Sequence, residues 1–258
     1  MKVLNIQTNN CTNIKQPIFN AHPDLNVLKS KYSEQYKRSC WFRHGLPTFA
    51  ADEYQRVIKC LESLDWSSKK RMLIVGIGDS QESFSHLAVI KNITKKPLKD
   101  SVDLHIIDLQ EKPSSIKLYI QSFYDRKRAP MYAKESFIET QKFRKIFGLN
   151  PKYRADDEIF EYLKSTYNNP EKSKWEIPVQ QAVQNYSEQS FNIISINNVL
   201  CYIKSGLVHN VINNIDRILK PNGVVITDPS KSVHDMLLGT KNFEQLDFGI
   251  FRKKETLL

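Results

Sequence analysis

An α/β sheet with helices packed on both faces is the fold class this sequence predicts, and three observations predict it. Short apolar runs of strand length alternate with amphipathic stretches of helix length along the chain. The first of those runs, "RMLIVGIG", ends in glycine, as a buried parallel strand feeding a helix does. The 258 residues are 40% hydrophobic, enough to bury a real core in one large domain or one domain with a small appendage.

Taken in chain order, residues 1–38 are polar, with Pro17 and Pro23, and read as an arm or short helical lead-in to a domain spanning 39–258. "PTFAADEYQRVIKCLESL" places Phe49, Tyr54, Val57, Ile58 and Leu61 near helical spacing. After the strand "RMLIV", "SFSHLAVIKNI" reads as a helix and "SVDLHIIDLQ" as a second buried strand closed by Asp108. The stretch at about 112–178 is too long for a loop in a compact domain, so it reads as a crossover with an inserted small subdomain. Within it "ESFIETQKFRKIFGL" is a helix ended by Gly148. Strand signals return with "PVQQAV" and "FNIISINNV". The helix "GLVHNVINNIDRILK" stops at "PNG", the strand "VVITD" comes next, and "FEQLDFGIFRKK" closes the chain as an antiparallel strand pair. In such a sheet, ligands sit at the carboxyl ends of the strands.

Composition narrows the function. No run approaches the roughly 18 apolar residues of a membrane span, and the first residues lack the apolar core of a signal peptide, so a soluble, cytoplasmic protein is expected. Four cysteines without a CxxC pair and six histidines without HExxH spacing indicate neither zinc nor a disulfide framework. The net charge of +10 is uneven: from Lys112 to Arg154, eleven lysines and arginines stand against three acids, a local +8. That patch suits an acidic protein, an anionic surface or plain solvation. With no zinc finger or RNP motif, a nucleic-acid partner is not expected.

The turn "GIGDSQESFS" after the first strand carries the functional signal. Gly76 and Gly78 fit the first two positions of a dinucleotide turn, but the third falls on Gln81, which disfavours a pyrophosphate. No Gly-Lys-Ser/Thr comes after it, so it is not a P-loop. Glu82 instead offers a carboxylate for an ammonium group, and Asp108 closes the second strand where an acid can accept both ribose hydroxyls. Together these features describe S-adenosylmethionine. A plain strand-to-helix turn accounts for the glycines alone.

The same residues resemble a known family. "GIGDSQESFS" is similar, without gaps, to the G-C-S-x-G-E-E-P-Y-S signature of the CheR-type chemoreceptor methyltransferases. "SCWFRHGLPTF" resembles their T-x-F-F-R segment, and "FNIISINNVLCYI" their F-D-x-I-x-C-R-N-V-L-I-Y-F. "LKPNGVVI" looks like the L-K-P-G-G strand entry common in class I methyltransferases. The resemblance spans Ser39 to Arg252 and implies a Rossmann-like class I methyltransferase sheet that binds S-adenosylmethionine and O-methylates a glutamate side chain of an acidic protein. It implies Glu82 near the methionine end of the cofactor, Asp108 on the ribose, Asn185 and Tyr186 at the adenine, and Asn198 and Tyr202 at the methyl-transfer end. Arg43 would reach over the reactive methyl; Arg43 and Tyr202 are the catalytic candidates, and the acceptor carboxylate needs no base. The sequence departs from the family at Ser80, Gln81, Phe84, Asn192 and Asn197, and most of its N-terminal helical domain is missing. A different protein or small-molecule acceptor, and a non-catalytic binding module acting through the basic face, are the rival readings.

Overall fold

The computed structural model describes residues 51–77, 81–109, 112, 157–197, 199–200, 203, 205–227 and 231–255. In chain order the elements are α1 (Ala51–Glu62), β1 (Lys70–Val75), α2 (Gln81–Thr94), α3 (Leu98–Ser101), β2 (Val102–Ile107), α4 (Asp157–Asn168) and β3 (Ser173–Lys174). Next come α5 (Val179–Ala182) with a 3-10 turn at Val183–Asn185, β4 (Phe191–Ile196), α6 (Ser205–Ile218), β5 (Leu219–Thr227), α7 (Lys231–Gly239), β6 (Phe243–Asp247) and β7 (Ile250–Lys253).

Among the described residues seven strands form one sheet in the order β3-β2-β1-β4-β5-β7-β6. Strands β1 to β5 pair in parallel, whereas β7 runs antiparallel to both β5 and β6. This is the doubly wound order with one antiparallel strand slipped in between the fifth and sixth, as the expected terminal strand pair requires. The hairpin joining β6 to β7 turns through Gly249, whose φ is +78°. A Cβ there would lie 2.5 Å from the Thr227 carbonyl oxygen, so only glycine fits.

The strands alternate their side chains between two cores. Met72 and Ile74 of β1 join Leu104 and Ile106 of β2 and Val224 and Ile226 of β5 under α1, α2 and α4. Leu73, Val75, Ile194, Ile196 and Val225 point the other way, under α5, α6 and α7. Both faces are therefore covered, which is why the strands read as unbroken apolar runs. Helix α6 shows how sequence dictates this: Val208, Val211, Ile212, Ile215 and Ile218 fall on one stripe and all are buried.

Three expectations change. "PVQQAV" is not a strand but α5 and its 3-10 turn: Val179, Ala182 and Val183 are buried at helical spacing, behind Pro178. The third strand is instead the two-residue β3, paired with β2 through Ile106↔Ser173 and Ile107↔Lys174. It lies inside the stretch expected as an insert, so the part of 112–178 from Asp157 onward is built into the sheet domain; Ile159, Leu163 and Tyr167 of α4 belong to its first core. The arm at 1–38 and the helix "ESFIETQKFRKIFGL" lie outside the described residues. Helix α7 stands where the sequence pattern predicts no element. Among the described residues no helix is long and apolar enough to cross a membrane.

At the amino end of the sheet a polar cluster is half covered. Asp103 accepts from Lys172 Nζ at 2.5 Å, and Arg71 Nε lies 3.5 Å from the same carboxylate. Burial raises Asp103, but the hydrogen bonds from Lys172 and His105 outweigh it and hold its carboxyl below the usual range. His105, 4% exposed, has its pKa lowered by burial first and by the Arg71 guanidinium second. Its imidazole is therefore favoured neutral in the fold, while the unfolded chain takes up a proton at about 6.5. Stability is full above that pH and falls as pH drops below it, until the lower folded value is passed. We expect His105→Gln to flatten the slope of stability against pH just below 6.5, by at most about 1.4 kcal/mol per pH unit, in urea titrations run at a series of pH values.

Candidate functional site

The carboxyl ends of β1 and β4 are neighbours in the sheet, but the chain leaves them toward opposite faces. β1 feeds α2 on the first face, and β4 leads to α6 on the second. Such a reversal opens a crevice beyond the strand ends, where open α/β sheets take their ligands.

The wall on the β1 side begins at Gly76. Its φ is +73°, and its N–H donates to the Ile107 carbonyl at 2.8 Å. A Cβ at this position would sit 2.3 Å from Cγ2 of Val199, just past β4. Glycine is needed here for its backbone conformation and for the close approach of the two strand ends.

One residue on, the Ile77 N–H donates to Asp108 Oδ2 at 2.7 Å. Asp108 is 2% exposed and held on other sides too. Its own N–H donates to the Lys174 carbonyl at 2.9 Å, and its carbonyl accepts from the Ile177 N–H at 3.3 Å. The residues that end β1, β2 and β3 thus meet at one aspartate.

One wall of the crevice escapes sequence reasoning. Trp175, Glu176 and Ile177 come directly after β3 and flank Asp108, and Glu176 adopts a left-handed φ of +59°. A two-residue strand leaves no periodicity to read, so nothing in the sequence marks this segment as lining the crevice.

Of the other expected site residues, Asn185 and Tyr186 are not brought to this corner. Because "QQAV" is helical, the chain descends across the second face, and the residues after it stand at the amino end of the strands. Tyr186 packs its ring edge-on to Phe191, the first residue of β4, with centroids 4.9 Å apart, and against His105 at 5.8 Å. Arg217 Nη1 donates to its carbonyl at 2.7 Å. Burial pushes the Tyr186 phenol up to about 12. Tyr186 thus packs at the start of β4, whereas the crevice lies beyond that strand's other end. Asn185 precedes it on the surface. Both residues thus stand apart from the corner of Gly76, Ile77 and Asp108. Glu82 falls in the first turn of α2, its side chain outside the described residues. Arg43, Gly78, Asn198 and Tyr202 also lie outside the described residues.

No protein-family model matches the chain, and no curated protein matches its sequence. Solved structures do. The 1,6-didemethyltoxoflavin-N1-methyltransferase of Burkholderia thailandensis, solved with 1,6-didemethyltoxoflavin and S-adenosylhomocysteine, is 13% identical, with a TM-score of 0.50 over 93% of this chain and 92% of that one. The N-methyltransferase NodS of Bradyrhizobium japonicum WM9, in complex with S-adenosylhomocysteine, overlaps more loosely: 11% identity, TM-score 0.42, 87% and 98% coverage. An O-methyltransferase family protein from Burkholderia thailandensis is 9% identical at a TM-score of 0.40, with coverage of 91% and 71%. The first likeness, together with the strand order, shows the fold: a seven-stranded Rossmann-like α/β sheet, similar to that of the Burkholderia thailandensis enzyme.

Two outcomes test the corner. Gly76→Ala forces a left-handed alanine against Val199 and is expected to destabilise the fold by about 2–4 kcal/mol in urea unfolding. Asp108→Ala leaves the buried Ile77 N–H without its acceptor and is expected to cost about 1–3 kcal/mol, whereas Asp108→Asn, which still offers a carbonyl oxygen, should cost less.

Proposed function

We propose that the protein is an S-adenosylmethionine-dependent methyltransferase whose cofactor lies across the carboxyl ends of β1 and β2. The observation that carries this reading is the corner of Gly76, Ile77 and Asp108 at the point where the chain reverses between β1 and β4. A tight glycine turn gives the cofactor backbone to lie against, and an acid at the end of β2 can accept from ribose hydroxyls while the turn stays tied to it. Trp175 to Ile177, beside Asp108, replace Asn185 and Tyr186 as the segment placed to flank the adenine. Glu82 opens α2, at the end of the turn from Gly76, and keeps its expected role toward the methionine amino group.

S-adenosylmethionine, when bound, supplies a methyl group on a positively charged sulfur. The chain's part is then to hold an acceptor in line with that group at about 3 to 3.5 Å, and such positioning contributes roughly 7–11 kcal/mol. Arg43, always protonated, suits a carboxylate acceptor through two parallel hydrogen bonds, with Tyr202 and Asn198 beside the transferred group. These roles rest on the likeness of their segments to the CheR-type enzymes. The acceptor we propose is accordingly a side-chain carboxylate of an acidic protein, drawn by the +8 stretch from Lys112 to Arg154. A small-molecule acceptor is the second reading, supported by the near-complete overlap, in both directions, with the 1,6-didemethyltoxoflavin-N1-methyltransferase.

Calorimetric titration of S-adenosylmethionine into the full chain is expected to give binding near the micromolar range, abolished in Asp108→Ala and weakened in Asp108→Asn. A folded wild-type protein that gives no heat and no shift in melting temperature with the cofactor overturns the reading. With labelled cofactor, base-labile methyl groups on protein would identify carboxylate esters. Label in small molecules alone would favour the second acceptor, and capture of acidic protein that is insensitive to salt would remove the role given to the basic stretch.

A further inference from the structure

The side of α2 that packs on the sheet is not uniformly apolar. Ser83 and His86 share it with Leu87 and Ile90 in one helical stripe, and all four are 0% exposed. Facing them from the carboxyl end of β4 are Ser195, 0% exposed, and Asn197, 3% exposed. His86 Nε2 lies 3.0 Å from Ser195 Oγ, and Asn197 Nδ2 donates to the same oxygen at 3.1 Å. One turn toward the start of α2, the buried Ser83 Oγ has no hydrogen-bond partner among the described residues. A polar seam therefore runs between helix and strand inside an otherwise apolar core, toward the end of the sheet that holds the crevice.

Stability alone does not account for it. Removing polar groups from water is costly even when they are paired, and leucine and valine would fill a seam of this kind without that cost. What the seam adds is direction. An apolar helix face can slide or roll on a strand at little cost, whereas a hydroxyl oxygen shared between partners at 3.0 and 3.1 Å fixes the register of α2 on β4. That register matters at this place. The turn from Gly76 leads into α2 and touches Val199, and Asn197 is the first residue beyond β4, so the seam sets the spacing between the two walls of the crevice.

We propose that His86 and Ser195 are positioning residues for the cofactor site, acting through the first turns of α2 and through Asn197 rather than by touching the ligand. The proposal rests on the methyltransferase reading and extends it. The test compares wild type, His86→Gln, Ser195→Ala and the double variant His86→Leu with Ser195→Val. S-adenosylhomocysteine is titrated calorimetrically into each full chain, well below its melting transition, and the melting temperature is read alongside.

The double variant takes the acceptor from the buried Asn197 Nδ2 and is expected to melt somewhat below the wild-type temperature, yet, folded at the titration temperature, to bind about tenfold or more weakly. His86→Gln, which still reaches Ser195 with an amide, should bind within about twofold of wild type. If the double variant fails to fold, Ser195→Ala is held to the same expectation of weakened binding. Wild-type affinity in a variant that lacks the seam overturns the proposal and leaves the methyltransferase reading standing. Absence of binding in folded wild type overturns that reading, and the proposal with it.

Discussion

The hydrogen bond from the Ile77 N–H to the Asp108 carboxylate is the constraint on which the crevice end of this molecule depends. A parallel sheet leaves the amides and carbonyls beyond its strand ends unpaired, and each strand departs in a different direction. Asp108 resolves this locally: its side chain takes the amide after β1, its own amide goes to the end of β3, and its carbonyl takes the amide of Ile177. Three strand ends are held to one buried residue, so the backbone around the crevice is set before any ligand arrives. Preorganisation of that kind is what a site needs when its work is positioning.

Polarity is distributed to the same effect. At the amino end of the sheet the Asp103 carboxylate is shared by Arg71, Lys172 and the His105 imidazole, beside Phe191 and Tyr186 at the edge of the second core. At the carboxyl end the buried polar groups are tied to the strand termini that form the crevice. The two clusters differ in consequence: the first couples folding to pH through a buried imidazole, while the second couples helix register to the geometry of the strand ends. Between them lie strands whose successive residues point to different cores, which leaves little freedom for a strand to slip.

The central sheet and its covering helices were legible because burial on both faces writes long apolar runs, and because α6 carries an unambiguous stripe. Gly76 and Asp108 were legible for a chemical reason: a turn that must approach Val199 has to be glycine, and an acid after an apolar run is conspicuous. What failed was local. "PVQQAV" has β-branched residues at both ends, and Pro178 suits either a strand edge or the start of a helix, so only packing on the second core decides for α5. That single error moved Asn185 and Tyr186 from one end of the sheet to the other. The partnership of His86 with Ser195 spans 109 residues, and no pattern along the chain announces it.

The rim of the carboxyl face is built differently from the strand ends beside it. Thr227 donates its N–H to the Gly249 carbonyl at 2.8 Å, which pins the β6–β7 turn beside the end of β5. Phe248 at that turn remains 48% exposed, with the Arg56 guanidinium 5.5 Å from its ring centroid and His234 edge-on at 5.0 Å. Arg56 belongs to α1 and also approaches Asp247 at 3.7 Å, so the start of the domain and its terminal hairpin meet at this rim. Strand ends fix where a nucleoside can lie, since they are tied to the sheet by backbone hydrogen bonds. The rim is made of side chains on a helix and a turn, which can change without disturbing those bonds. One sheet can therefore keep its cofactor geometry while the rim adapts to carboxylate, amine or ring nitrogen, and likeness of fold leaves the choice among them to the residues at the edge.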